Sequence, residues 1–205
     1  VPAASSRARD AVIAIVPVRT AAPAVLPVSL AEAKLHLGYD AADRDAEITA
    51  FLAAAVDRLD GWSGLLGRCL VEQTWRQDLP AFPDSDTIRL PFPNVSAATV
   101  KYSDATGAEQ TFASSLWSLH EAAGGSVVVL AAGATWPVTD DRPDAVRITL
   151  TAGYGAAAAV PQPIRSAILL MTGDLWRSRE AGSAPAGALG GVADLLLAPY
   201  RRVPV

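Results

Sequence analysis

The stretch that most limits what this chain can fold into is residues 145–180, AVRITLTAGYGAAAAVPQPIRSAILLMTGDLWRSRE. It opens with Val146, Ile148 and Leu150 alternating with Arg147, Thr149 and Thr151. Alternation of this kind marks a strand with one face buried. A Gly-Tyr-Gly break and an alanine run lead to Pro161 and Pro163. Proline suits the first turn of a helix, whose N–H groups have no partners inside the helix anyway. Ile164, Ala167, Ile168, Met171 and Leu175 then recur at helical spacing, flanked by Leu169, Leu170 and Trp176. So wide an apolar belt predicts a helix buried on most sides, on which other elements pack.

The 205 residues suffice for one large domain or two small ones with a real core. Hydrophobic residues make up 51% and charged residues 19%, the balance of a folded chain. A net charge of -4 argues against a nucleic-acid coat. The single cysteine, Cys69, excludes an intrachain disulfide. No segment reaches the roughly 20 uninterrupted apolar residues of a membrane helix. Arg7 and Arg9 precede AVIAIVPV, which faintly resembles a signal peptide, but Asp10 borders that run and Pro17 breaks it.

In chain order, residues 1–27 read as an extended arm with no core of its own, whose Val12, Ile13, Ile15 and Val16 want a partner. Ser29 and Glu32 form a capping box before a helix that stops at Gly38. Asp43 is the expected cap of a longer helix of about five turns, with Ile48, Phe51, Leu52, Ala55, Leu59 and Trp62 along one stripe. From residue 72 the period changes to two. Strands are expected at 74–79, 87–90, 97–102, 109–112, 126–130 and 145–151, with a hairpin turn at 103–107.

The expected fold class is α+β. A small bundle of three main helices (28–71 and 153–181) carries an inserted antiparallel β domain (72–152). A glycine- and alanine-rich linker (182–191) then leads to a flexible C-terminal docking segment (192–205). A segment that short is not a stable helix alone in water, so it asks for a partner.

Catalytic sets are thin. His36 falls near the end of a helix and His120 in a β loop beside Glu121. Two histidines and one cysteine do not make the usual N/S zinc site, and no metal site is expected. Gly61-Trp62-Ser63-Gly64 approaches a nucleophile elbow but follows a helix instead of a strand. Gly153-Tyr154-Gly155 follows a strand, with Asp174 at a dinucleotide-binding distance, yet Pro161 and Pro163 come too late for a helix starting at the glycines. Asp84 and Asp86 read as solvated carboxylates, and neither Lys34 nor Lys101 follows a glycine-rich phosphate loop. Neither a catalytic nor a cofactor-binding residue is expected.

Several strings in this order resemble the head–tail connector (adaptor or head-completion) proteins of tailed phages. They are VSLAEAKLHLGYD with DRDAEI, LVEQTW, IRLPFPNVSAATVKYSDATG, VRITLTAGYG, VPQPIRSAILLMTGDLWRSRE and LLLAPYRRV. The likeness spans residues 27–202 and leaves the first 26 residues without a counterpart. It implies a non-enzymatic ring, typically a dodecamer, between the portal and a stopper or tail-completion protein. DNA passes through its centre without specific binding, and no membrane is involved. It implies a virion or phage-like particle assembled in the bacterial cytoplasm, from a prophage or a gene transfer agent. Portal docking falls to Leu195, Leu196, Leu197, Pro199, Tyr200, Arg201 and Arg202. Tyrosine and arginine are types that dominate interface hot spots. Asp40, Asp43, Asp45 and Glu47 are candidates to face the channel, where acids would repel phosphate. The helix dipole explains acids at that position nearly as well. Two readings from other classes stay open: a small hydrolase or binding enzyme with its site in the β region, and a stand-alone interaction module.

Overall fold

A computed structural model describes residues 15–122, 124–178 and 191–202. Among them are four helices and two antiparallel sheets, an α+β fold. Helix α1 (Leu30–Leu37) starts as its sequence dictates. Ser29 Oγ accepts from the Glu32 N–H at 3.2 Å, and the Glu32 carboxylate accepts from the Ser29 N–H at 2.9 Å. Gly38, at φ 64°, ends it in the left-handed conformation.

Helix α2 (Asp45–Asp57) is shorter than the five turns expected, and Asp43 does not cap it. The Asp43 carboxylate accepts instead from the Tyr39 hydroxyl at 2.6 Å, and Arg44 holds the cap position without a side-chain capping bond. Trp62 lies beyond the helix end and is exposed.

Helix α3 (Gln162–Arg177) begins at the prolines. It is not buried on most sides: Ile164, Ala167, Ile168, Thr172 and Gly173 face inward, whereas Met171 and Leu175 of the expected stripe are half-exposed. Thr172 is tolerated in the core because its hydroxyl donates to the Ile168 carbonyl at 2.8 Å. Gly173 leaves room for the His36 ring, 3.5 Å from where a Cβ would stand. The inner faces of α1, α2 and α3 form one core with Ile48, Leu52, Leu59, Leu66 and Leu70.

The larger sheet has the order β1-β2-β8-β4-β5, made of Val18–Ala21, Gln73–Leu79, Val146–Ala152, Val95–Ser103 and Glu109–Thr111. The smaller has the order β3-β7-β6, made of Thr87–Arg89, Gly125–Leu130 and Trp117–Ala122. Both sheets feed a second core: Trp75, Val100, Ile148 and Leu150 come from the larger, Ile88 and Val128 from the smaller, with Phe92 between. The 103–107 turn forms with Gly107 at φ 83°. Strand β6 was not expected: only Trp117 and Leu119 alternate with exposed Ser118 and His120, and Glu121 and Ala122 continue the strand with both side chains exposed. Pairing with β7 makes it a strand, and it places His120 opposite Val127 instead of in a loop.

Residues 58–73 join the two cores, and Asp60 pins the joint. Its buried carboxylate accepts from the Leu70 N–H at 2.7 Å and from the Gln73 amide at 2.9 Å. Arg19 on β1 lies 3.9 Å away. Burial raises the Asp60 pKa above the ordinary aspartate range, more than the hydrogen bonds lower it. The unfolded chain therefore releases this proton at lower pH than the folded one. The stability that the retained proton contributes is complete below the unfolded value and is lost as pH rises through the folded value. Asp60→Asn removes this dependence. Urea titrations across the acid range will show wild-type stability falling relative to the variant as pH rises; parallel curves would refute the assignment.

Candidate docking surface and the cleft beside it

The C-terminal segment is a short helix, α4 (Gly191–Leu197), followed by a 3-10 turn (Ala198–Tyr200). It lies against α3 and gives Ala193 and Leu197 to the helical core. A seven-residue helix is unstable alone; burying these two side chains holds it. Helical spacing then turns Val192, Leu195 and Pro199 the other way. Val192 is 63% exposed and Leu195 76% exposed, an outward apolar stripe. Arg201 flanks it, donating to Asp194 at 2.6 Å.

Arg202 fastens the end of the segment to the rest of the chain. Its N–H donates to the Leu66 carbonyl at 3.1 Å. Its guanidinium donates to the Gly124 carbonyl at 3.0 Å and to the Pro91 carbonyl. Burial, then the repulsion of Arg68, lowers its pKa from the usual arginine value.

Between this segment, the β6–β7 turn and the start of β4 opens a cleft of 360 Å³. Arg68, Arg201, Arg202, Asn94 and Glu121 bring its polar groups. Asn94 takes a positive φ of 56°, which aims its N–H at the Glu121 carboxylate, 3.2 Å away. Glu121 also accepts from Ser126 at 2.6 Å. Arg68 donates to the Tyr154 hydroxyl at 2.7 Å and lies over that ring.

No family model matches the chain, and no curated protein matches it. Solved structures do. A chain from the neck of an empty gene transfer agent particle, computed with C6 symmetry, is 26% identical, with 93% of this chain and 97% of that one covered and a TM-score of 0.75. The neck of the native particle, computed with C12 symmetry, has a chain equally identical and equally covered, with a TM-score of 0.72. A chain of the native particle's virion gives the same values of 26%, 93%, 97% and 0.72. The chain shares the fold of these neck proteins over nearly its full length, which supports a phage-like head–tail connector protein.

Within this connector, the seven residues expected at the portal divide. Leu195, Pro199 and Arg201 face outward; Leu196 and Tyr200 are half-buried; Leu197 is buried in the protein's own core and Arg202 is tied to its own backbone. Only the outward set is free to meet another molecule while α4 sits on α3.

The four acids also divide. Asp45 pairs with Lys34 at 2.7 Å and Glu47 with Arg44 at 3.1 Å, whereas Asp40 and Asp43 are exposed. The Tyr39 hydroxyl holds the Asp43 pKa below the usual carboxylate range.

In the β region, Ser118 Oγ lies 2.7 Å from His120 Nε2, both exposed on edge strand β6. Among the described residues no carboxylate bonds that ring, and the cleft lies elsewhere. Gly153-Tyr154-Gly155 packs against residues 70–72 and presents no open phosphate cradle: the Tyr154 N–H donates to Leu70 and the Gly155 carbonyl accepts from Glu72. No group of three or more metal-ligating side chains occurs among the described residues, and no helix there is long and apolar enough to cross a membrane. The cleft itself was missed in the sequence. Its residues lie in four separate stretches of the chain, and only the Gly124-Gly125 pair hinted at a tight turn there.

Proposed function

We propose that this chain is a structural connector in the neck of a phage-like particle, assembled with copies of itself into a ring. The observation that carries this is the match to neck chains over nearly the full length of both proteins. The C6 and C12 symmetries of those necks support a ring, and the second supports twelve copies. In this reading the ring sits between the portal and a stopper or tail-completion protein, and DNA passes through its centre without sequence-specific contacts. The portal is met by the outward face of the C-terminal segment: Val192, Leu195, Pro199 and Arg201, with Tyr200 at the edge. Leu196, Leu197 and Arg202 hold that face in position. A helix already docked on its own body presents its anchors pre-organised, which lowers the ordering entropy of binding.

Leu195→Asp tests the assignment without touching the core, since that side chain is 76% exposed. It should weaken binding to the particle's portal by about tenfold or more, the roughly 1.4 kcal/mol expected of an interface anchor. Its melting temperature should match wild type. Deleting residues 191–205 should abolish binding. Unchanged portal affinity in both variants would remove the C-terminal segment from the interface.

A further inference from the structure

Of the three arginines that line the cleft, Arg201 is paired with Asp194, whereas Arg68 and Arg202 make no ion pair among the described residues. Arg202 spends its hydrogen bonds on neutral carbonyls and Arg68 on a neutral hydroxyl. Among the described residues, neither has a carboxylate within ion-pair distance, and the Arg68 Nε is buried with no hydrogen-bond partner. Arg89 stands near Gly124 and adds a smaller repulsion on Arg202, which the Glu121 carboxylate partly offsets. The one carboxylate in the cleft, Glu121, is turned to Asn94 and Ser126. Each guanidinium has five N–H donors, so capacity for an anion remains. The ordered arrangement of Arg202 makes this a built concavity instead of a loose surface patch.

The shape favours a carboxylate on a protein loop over a nucleic-acid backbone. The opening is small, 360 Å³, and Pro93, Ala122 and Pro199 give it an apolar rim.

A matching group exists on this chain but out of its own reach. The corner between α1 and α2 carries exposed Asp40 and Asp43. Asp40 makes no ion pair or hydrogen bond among the described residues, and the Tyr39 bond favours the charged form of Asp43. This corner lies at the N-terminal end of α2. Arg68 lies past the other end, where the Gly61 N–H donates to its carbonyl. Thirteen helical residues separate the two ends by about 20 Å. Acid at one end and a basic cleft at the other describe a heterologous, head-to-tail contact, the kind that closes rings.

We infer that the arginine cleft receives the Asp40–Asp43 corner of a neighbouring copy of this chain. This rests on the ring reading above and assigns the corner to the subunit interface instead of the channel.

Cysteine cross-linking in the portal-bound ring tests it. Asp40→Cys and Ala122→Cys, combined in one chain, put a thiol in the corner and another on the cleft rim; native Cys69 is buried and its thiol pKa is pushed up, so it stays silent. Oxidation should give a ladder of covalent oligomers beyond the dimer, and each single variant should give none. Asp40→Arg should weaken ring assembly about tenfold. A ring that assembles normally without the ladder would overturn the contact while leaving the ring reading intact. A ladder that stops at the dimer, or a cross-link to the portal, would also overturn it. If Asp40→Arg leaves assembly unchanged and slows DNA passage, the corner faces the channel and the inference fails. Failure of the wild-type chain to form a ring on the portal would refute both readings.

Discussion

Replacing Gly153 with alanine should lower the stability of this connector by about 3 kcal/mol or more, among the larger single effects available to it. Gly153 has φ 138°, a region that residues with a side chain rarely adopt. A Cβ there would stand 2.7 Å from the backbone of Val71 and 2.8 Å from the Glu72 nitrogen. Those atoms belong to the segment joining the two cores and have no flexible end to swing away. The same glycine donates its N–H to the Asn94 carbonyl at 3.1 Å, so a shift of its backbone would also disturb the wall of the cleft. Chemical denaturation of the purified variant measures the loss. A change under 1 kcal/mol would mean that the Val71 backbone yields more easily than its packing implies.

Phe92→Ala should cost about 3–5 kcal/mol, the usual penalty for truncating a buried phenylalanine. Phe92 is fully buried between the sheets. Its ring centroid lies 4.8 Å from that of Trp75 and 6.3 Å, edge-on, from that of Trp62. The cavity left behind would therefore alter the surroundings of two indoles, and tryptophan emission should shift along with the denaturation midpoint. The neighbouring Pro91 carbonyl accepts from Arg202, so the variant should also loosen the attachment of the C-terminal segment. Portal affinity should then fall even though Phe92 is buried and is not part of the outward stripe. Intact affinity in a folded variant would show that Arg202 holds without this support.

These two residues mark the boundary between what was legible in the sequence and what was not. Gly153 was visible as one half of a Gly-Tyr-Gly break and suggested a cofactor turn. Its actual constraint is the approach of Val71, about 80 residues earlier in the chain, which no local pattern records. Six strands could be read from local signals, alternation in β2 and β8 and the flanking hairpin turn for β5. Strand β6 was not read, since its inward face is only Trp117 and Leu119 and its pairing with β7 extends it through exposed residues. The Asp43 cap failed for a similar reason. A carboxylate near a helix start has several possible partners, and the Tyr39 hydroxyl won.

The sequence by itself determined the local chemistry: the Ser29–Glu32 capping box, the stop at Gly38, the prolines that start α3, the Gly107 turn and the α+β order of elements. These depend on contacts only a few residues apart. It also carried the connector resemblance, because that rests on strings in a fixed order. Only the tertiary structure decided which side of α4 is outward, and that the acidic corner and the arginine cleft lie at opposite ends of α2. Arg202 reaches the carbonyls of Gly124 and Pro91 across 78 and 111 residues. Such contacts are set by how two cores pack against each other, and packing across that distance leaves no periodic trace in the chain.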